Sequence, residues 1–114
     1  MSTFCRLTGL RKGNPGPAGS GGVIIDVTGR IILNFFWGLG KKTNNAAEIL
    51  AIWQGLTQAT ALSIKKLAII SDSRITIQAL ILNKAPNNME LTHIYRKVSL
   101  KIKDFEEVKF FHVL

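Results

Sequence analysis

Cysteine is almost missing from this chain, with one thiol, Cys5, among 114 residues. A single thiol closes no internal disulfide, which excludes a disulfide-stapled secreted scaffold and suits a reducing compartment. No second Cys or His stands near Cys5 at metal-ligand spacing, so it reads as an ordinary strand residue. Proline is scarce as well, at three residues, and the hydrophobic content is 46%. That combination excludes a disordered chain. Long apolar runs are lacking: none approaches the roughly eighteen residues that cross a bilayer. The first six residues also lack the apolar stretch of a signal peptide, so an intracellular chain with no membrane partner is expected. Acids are the last shortage. Seven Asp and Glu oppose fifteen Lys and Arg, for a net charge of +8 and a pI near 10.1. An excess of this size calls for a polyanionic partner, and nucleic acid is the usual one.

What is present supports one domain over residues 1–114, long enough to bury about two thirds of its surface. Residues 4–10 are short and mixed, and read as an edge strand. Residues 12–22 carry so many Gly and Pro that they read as a tight connection, since proline cannot donate inside a paired central strand. Residues 23–26 are a β-rich run, 27–30 a turn and 31–37 a further strand, giving an antiparallel meander of three strands. Residues 38–42 end the sheet. A helix is expected over 45–62, then a continuous apolar strand over 67–71 of the kind buried on both faces of a parallel sheet. Residues 73–82 read as helix and 83–88 as loop. Leu91, Tyr95, Val98, Ile102 and Phe105 mark a third helix, with Arg96, Lys97, Lys101 and Lys103 on its other face. Residues 108–113 form the last strand. The order βββαβααβ implies an α/β fold, a mixed sheet with helices packed on its faces. Ligands are expected beyond the strand ends, where the topology switches.

The helix over 45–62 organises the chain. From Glu48, the residues Ala51, Ile52, Gly55, Leu56, Ala59 and Leu62 recur at offsets of three, four, seven, eight, eleven and fourteen. Those offsets make one helical stripe, and Glu48 begins it. A carboxylate on the buried face of an amphipathic helix is costly unless a cation, a metal or donors meet it. Two readings follow. Asn45 and Glu48 form a capping-box variant, with Glu48 folded back on the helix start, or Glu48 serves a site. Asp72 has the same two faces, as N-cap of the next helix or as a second carboxylate converging with Glu48. Trp37 and Trp53 read as core or subsurface packing residues rather than base-stacking platforms.

The run Gly13-Asn14-Pro15-Gly16-Pro17-Ala18-Gly19-Ser20-Gly21-Gly22-Val23-Ile24, then Thr43-Asn44-Asn45-Ala46-Ala47-Glu48, then Ser71-Asp72-Ser73, resembles the ribonuclease H family. The likeness is to the RNase H-like domains of plants associated with retroelement reverse transcriptases. Each motif is weak alone, but all three in order over residues 4–114 are specific. The resemblance implies an RNase H-like mixed five-stranded sheet. It also implies hydrolysis of the RNA strand of an RNA/DNA hybrid with two divalent ions, Mg²⁺ or Mn²⁺, held by four carboxylates. Hard cations want oxygen ligands, and paired ions activate a water and stabilise the leaving oxygen. Glu48 and Asp72 match the second and third carboxylates, the implied catalytic and metal-holding pair. Nucleic-acid contacts are implied for Gly13, Asn14, Asn44, Asn45 and Ser73. The basic face of Arg96, Lys97 and Lys101 suits phosphates, an ordinary solvated helix face being the other reading. His112 matches a histidine that assists product release in relatives, and also reads as a plain strand-end histidine. A nuclear location suits a basic retroelement-derived domain, although no clear localisation signal is present.

Two carboxylates of the pattern are missing. Thr8 falls six residues before Asn14, where the first Asp is expected, with Arg11 and Lys12 close by. The fourth belongs to a last helix after His112-Val113-Leu114, and that helix is expected to be absent from this chain. Asp104, Glu106 and Glu107 read as solvated charges. Two ligands of four, under a charge of +8, should hold divalent metal weakly. The expectation is an RNase H-like nucleic-acid-binding domain whose catalysis is weak or lost, a pseudoenzyme, with its standing as an enzyme left open. The alternative is a non-catalytic binding or interaction module, or a truncated fragment, with a partner covering the apolar sheet face that a missing helix leaves.

Overall fold

The computed structural model describes residues 3–11, 16–71, 74–82 and 89–113. Their elements are β1 Thr3–Arg11, β2 Gly16–Ile25, β3 Ile31–Lys42, α1 Asn44–Ala61, β4 Lys66–Ser71, α2 Arg74–Ile81, α3 Met89–Ile102 and β5 Glu107–His112. The five strands make one sheet in the order β3-β2-β1-β4-β5. β1 with β2 and β2 with β3 are antiparallel, while β1 with β4 and β4 with β5 are parallel. The mixed α/β sheet and the βββαβααβ order are as expected. The expected loop over 83–88 lies outside the described residues.

Three local expectations are corrected. β1 is the central strand, not an edge, because the crossover through α1 returns the chain beside it and sets β4 parallel to it. Position in a sheet follows from such connections rather than from composition. The Gly-rich stretch is largely strand: residues 16–22 belong to β2. A Cβ on Gly21 would lie 2.6 Å from the Phe35 carbonyl oxygen, and one on Gly19 would lie 2.5 Å from the Phe36 ring. Glycine therefore lets the two strands and the Phe36 ring meet. Pro17 is tolerated because it lies beyond Ala18, the last β2 residue paired with β1. Residues 38–42 continue β3 rather than ending the sheet, through a register shift at Leu39 that precedes Gly40 with φ +69°.

The β2–β3 turn is fixed by one carboxylate. Asp26 Oδ1 accepts from the Thr28 amide at 2.9 Å, the Thr28 hydroxyl at 2.6 Å and the Arg30 amide at 3.0 Å. Gly29 takes φ +88° to close the turn. The Thr28 hydroxyl, with the Arg30 and Thr28 amides and the Arg30 charge adding to it, holds the Asp26 carboxyl below its ordinary range against an opposing desolvation. A carboxyl lowered by folding stabilises above its unfolded titration range and loses that contribution as pH falls through the folded one. Asp26→Asn should therefore lower Tm at neutral pH, with the gap to the unchanged chain closing below about pH 4. Thermal melts of the two chains across that range check this, and a gap that widens on acidification would contradict it.

α1 lies over β1 and β2, α3 packs on α1, and α2 reaches β5. Between these layers Ile24, Ile52, Leu56, Ile69, Ile77 and Val98 are each at most 1% exposed. One polar tie crosses the core: the buried Ser20 hydroxyl of β2 donates to the Gln54 side-chain carbonyl of α1. α1 ends at Ala61, so Leu62 is its C-cap and is exposed instead of completing the apolar stripe. On β3, Leu33 and Phe35 pack against the core while Asn34 and Phe36 are exposed. Trp37 is exposed rather than packed, because an outermost strand has a neighbour on one side only.

Candidate functional site

The site is built from the start of α1. Thr43 is the N-cap, with extended backbone at φ −72° and ψ 162°. Its hydroxyl oxygen accepts from the Ala46 amide at 3.2 Å, and its carbonyl accepts from Ala47 at 3.0 Å. With the cap at Thr43, the capping-box partner position is Ala46, and Glu48 stands two residues further in. Capping therefore does not account for Glu48. Its side chain is nonetheless buried at 6% exposure, between Ala47 and Ile49, and its Oε2 oxygen is fully enclosed. Asn44 is the first residue of the helix, and Asn45 is half-buried in the first turn.

The sheet supplies the second edge of the site. β4 ends at the buried Ser71, whose carbonyl accepts from the Val113 amide at 3.0 Å and which pairs with His112 of β5. His112 is exposed at that strand end. β1 and β4 pair from Thr3↔Leu67 to Arg6↔Ile70, so Thr8 follows the paired stretch towards the end where β4 stops. Across β2, Thr8 stands opposite Gly21. Asp72, Ser73, Gly13 and Asn14 lie outside the described residues. Among the described residues no three His, Cys, Asp or Glu side chains gather. Glu48 is the described carboxylate of the candidate site.

A second surface lies on α3. Arg96 and Lys97 are exposed and Lys101 is half-buried. The Lys97 ammonium sits 5.4 Å from the centre of the Trp53 ring, which helps to hold it in place. Lys101 pairs with Asp104 at 3.6 Å, Lys109 with Glu107 at 3.2 Å and Lys42 with Glu90 at 3.4 Å. Asp104 and Glu107 are thus members of surface ion pairs, while Glu106 is exposed. Such pairs add little stability. They do neutralise acids that would otherwise oppose an anion at this surface.

Sequence reasoning missed three of these features. Thr43 as the cap was detectable, being a threonine just ahead of the periodic stretch. The Lys97–Trp53 and Ser20–Gln54 contacts join residues far apart in sequence and leave no local signal.

The strand order, the α1 crossover and the buried carboxylate on α1 define an RNase H-like α/β domain. The chain belongs to the family described as Reverse transcriptase-like, whose sequence profile matches residues 7–114. It is 25% identical over 111 residues to a bifunctional protein of Mycobacterium tuberculosis, covering 96% of this chain and 30% of that protein. The chain thus spans under a third of the length of that relative. Its fold is similar to RNase H1 of the archaeon Halobacterium salinarum, with a TM-score of 0.93 and 25% identity, covering 99% of this chain and 86% of that one. The N-terminal RNase H domain of a Mycobacterium tuberculosis protein, solved as a fusion with maltose-binding protein, gives a TM-score of 0.94 at 23% identity. That match covers 100% of this chain and 88% of the other. LC11-RNase H1 in complex with an RNA/DNA hybrid gives 0.90 at 22% identity, covering 97% and 84%. The last two speak for the fold alone. No helix among the described residues is long and apolar enough to cross a membrane.

Proposed function

We propose that this chain is a nucleic-acid-binding domain of the RNase H type, with RNA/DNA hybrid as its ligand and with hydrolysis of the RNA strand that is weak or lost. The observation that carries the reading is Glu48, a carboxylate buried on a helix whose capping does not use it, in a chain of this family. An enclosed carboxylate is a hard oxygen donor in low-dielectric surroundings, which fits a divalent cation such as Mg²⁺ or Mn²⁺. Glu48 and Asp72 are the residues that would hold it. When bound, such an ion would activate a water and stabilise the leaving oxygen. Thr8, neutral where the resemblance expects an aspartate, lowers the negative charge of the site and so its hold on a cation.

The remaining contacts need no metal. Gly13, Asn14, Asn44, Asn45 and Ser73 are assigned to the nucleic-acid backbone near Glu48, and Arg96, Lys97 and Lys101 to phosphates further along. Hybrid recognition of this kind reads groove shape and 2′-hydroxyls rather than sequence. The likeness of the motifs to plant retroelement domains makes a retroelement origin part of the same proposal.

Fluorescence anisotropy with a labelled RNA/DNA hybrid, read across a salt series, tests binding. Removing one cation that neutralises a phosphate should reduce the steepness of log affinity against log salt by about one. Arg96→Ala and Lys97→Ala should each give that change, with affinity falling at low salt. A flat salt response of the unchanged chain would sink the binding reading. An unchanged slope in both variants would return α3 to an ordinary solvated face.

A further inference from the structure

We infer that the outer edge of β3 is a self-association surface, and that its occupant is β3 of a second copy of this chain. β3 is an outermost strand of the sheet, so among the described residues its backbone faces a neighbouring strand on the β2 side alone. Unpaired main-chain donors and acceptors on a strand edge are a template for another strand. Register shifts at Ile32 and Leu39 bracket a regular stretch over 33–38, and that stretch carries no charge in a chain of net charge +8. The Lys, Glu or Pro residues that usually protect an edge are absent from it. Lys41 and Lys42 come only after the second shift.

The exposed side chains suit the same partner. Ile31, Ile32, Phe36 and Trp37 are 56, 43, 62 and 38% exposed. The opposite edge strand, β5, has six residues and carries the Lys109–Glu107 ion pair, so it is the better protected of the two. Antiparallel pairing of two identical strands closes on a two-fold axis and consumes both edges, giving a dimer rather than a filament.

The area sets the strength. Phe36 and Trp37 leave roughly 200 Å² of aromatic surface exposed, against about 800 Å² per partner in a standard stable interface. Each copy also carries a net charge of +8, so two copies repel one another. The dimer is therefore weak, and it tightens as salt screens the repulsion. That salt response is opposite in sign to nucleic-acid binding, so the two surfaces are tested separately.

The experiment is sedimentation equilibrium on nuclease-treated full chain over micromolar to millimolar concentration, at low and high salt. A monomer–dimer equilibrium that strengthens with salt is expected. Asn34 is exposed in the middle of the stretch. Asn34→Lys and Asn34→Glu should both abolish dimerisation while leaving Tm within about a degree. Abolition in both, despite opposite charges, identifies strand pairing rather than net charge. Phe111→Lys, on β5, should leave the dimer intact. A chain monomeric throughout, a dimer that weakens with salt, or one that survives both Asn34 variants would overturn the inference.

Discussion

Thr8→Asp is expected to raise metal-dependent cleavage of an RNA/DNA hybrid at least about 100-fold over the unchanged chain. The same change should tighten Mn²⁺ binding measurably in a calorimetric titration. Thr8 stands in β1, opposite Gly21 and at the end of the sheet where β4 stops. Its hydroxyl is neutral, so it offers a cation no charge. An aspartate there would add a third carboxylate to Glu48 and Asp72 of the proposed site, in a chain whose overall charge otherwise repels cations. The gain should disappear when Glu48→Gln is added, since both groups act on one ion. If Thr8→Asp changed neither Mn²⁺ affinity nor cleavage, Thr8 would not occupy a ligand position and the reading of the site would fail.

Ile52→Ala should cost about 2–5 kcal/mol, a large share of the roughly 5–15 kcal/mol that holds a domain of this size together. Ile52 is completely buried in the middle of α1 and belongs to one cluster with Ile24 of β2, Leu67 and Ile69 of β4, Ile77 of α2 and Val98 of α3. Every layer of the fold meets there, so the cavity cannot collapse by moving a single element. Leu100→Ala on the exposed side of α3 is the matched control, with a change within about 0.5 kcal/mol. Urea titrations of the two variants check this. Equal effects would mean that α1 is not the centre of the core.

Most of the fold was readable where side chains repeat with a period. The stripe from Ala51 to Ala59 marked α1, the apolar run of β4 marked a buried parallel strand, and Tyr95 and Val98 marked the buried face of α3, which also holds Ile94 and ends at Ile102, short of Phe105. The pattern fell silent at Gly19 and Gly21, which have no side chain to alternate and exist to accommodate Phe35 and Phe36 across the sheet. Whether a strand is central or outermost is decided by chain crossovers, so β1 and Trp37 were placed wrongly from local composition. Within the site, Glu48 was legible because a charge on an apolar stripe is conspicuous. Its capping alternative could be set aside only once Thr43 was seen to cap the helix. The role of Trp53 beneath Lys97 depends on how α3 packs on α1, which no local pattern encodes.

The deciding experiment is cleavage of a labelled RNA/DNA hybrid by the unchanged chain, with Mg²⁺ and then Mn²⁺, beside Asp72→Asn. Salt-sensitive binding of the hybrid by both proteins is expected, with cleavage absent or orders of magnitude slower than that of Thr8→Asp. Rapid cleavage by the unchanged chain, abolished by Asp72→Asn, would contradict the proposed function and show that Glu48 and Asp72 suffice with Thr8 in place.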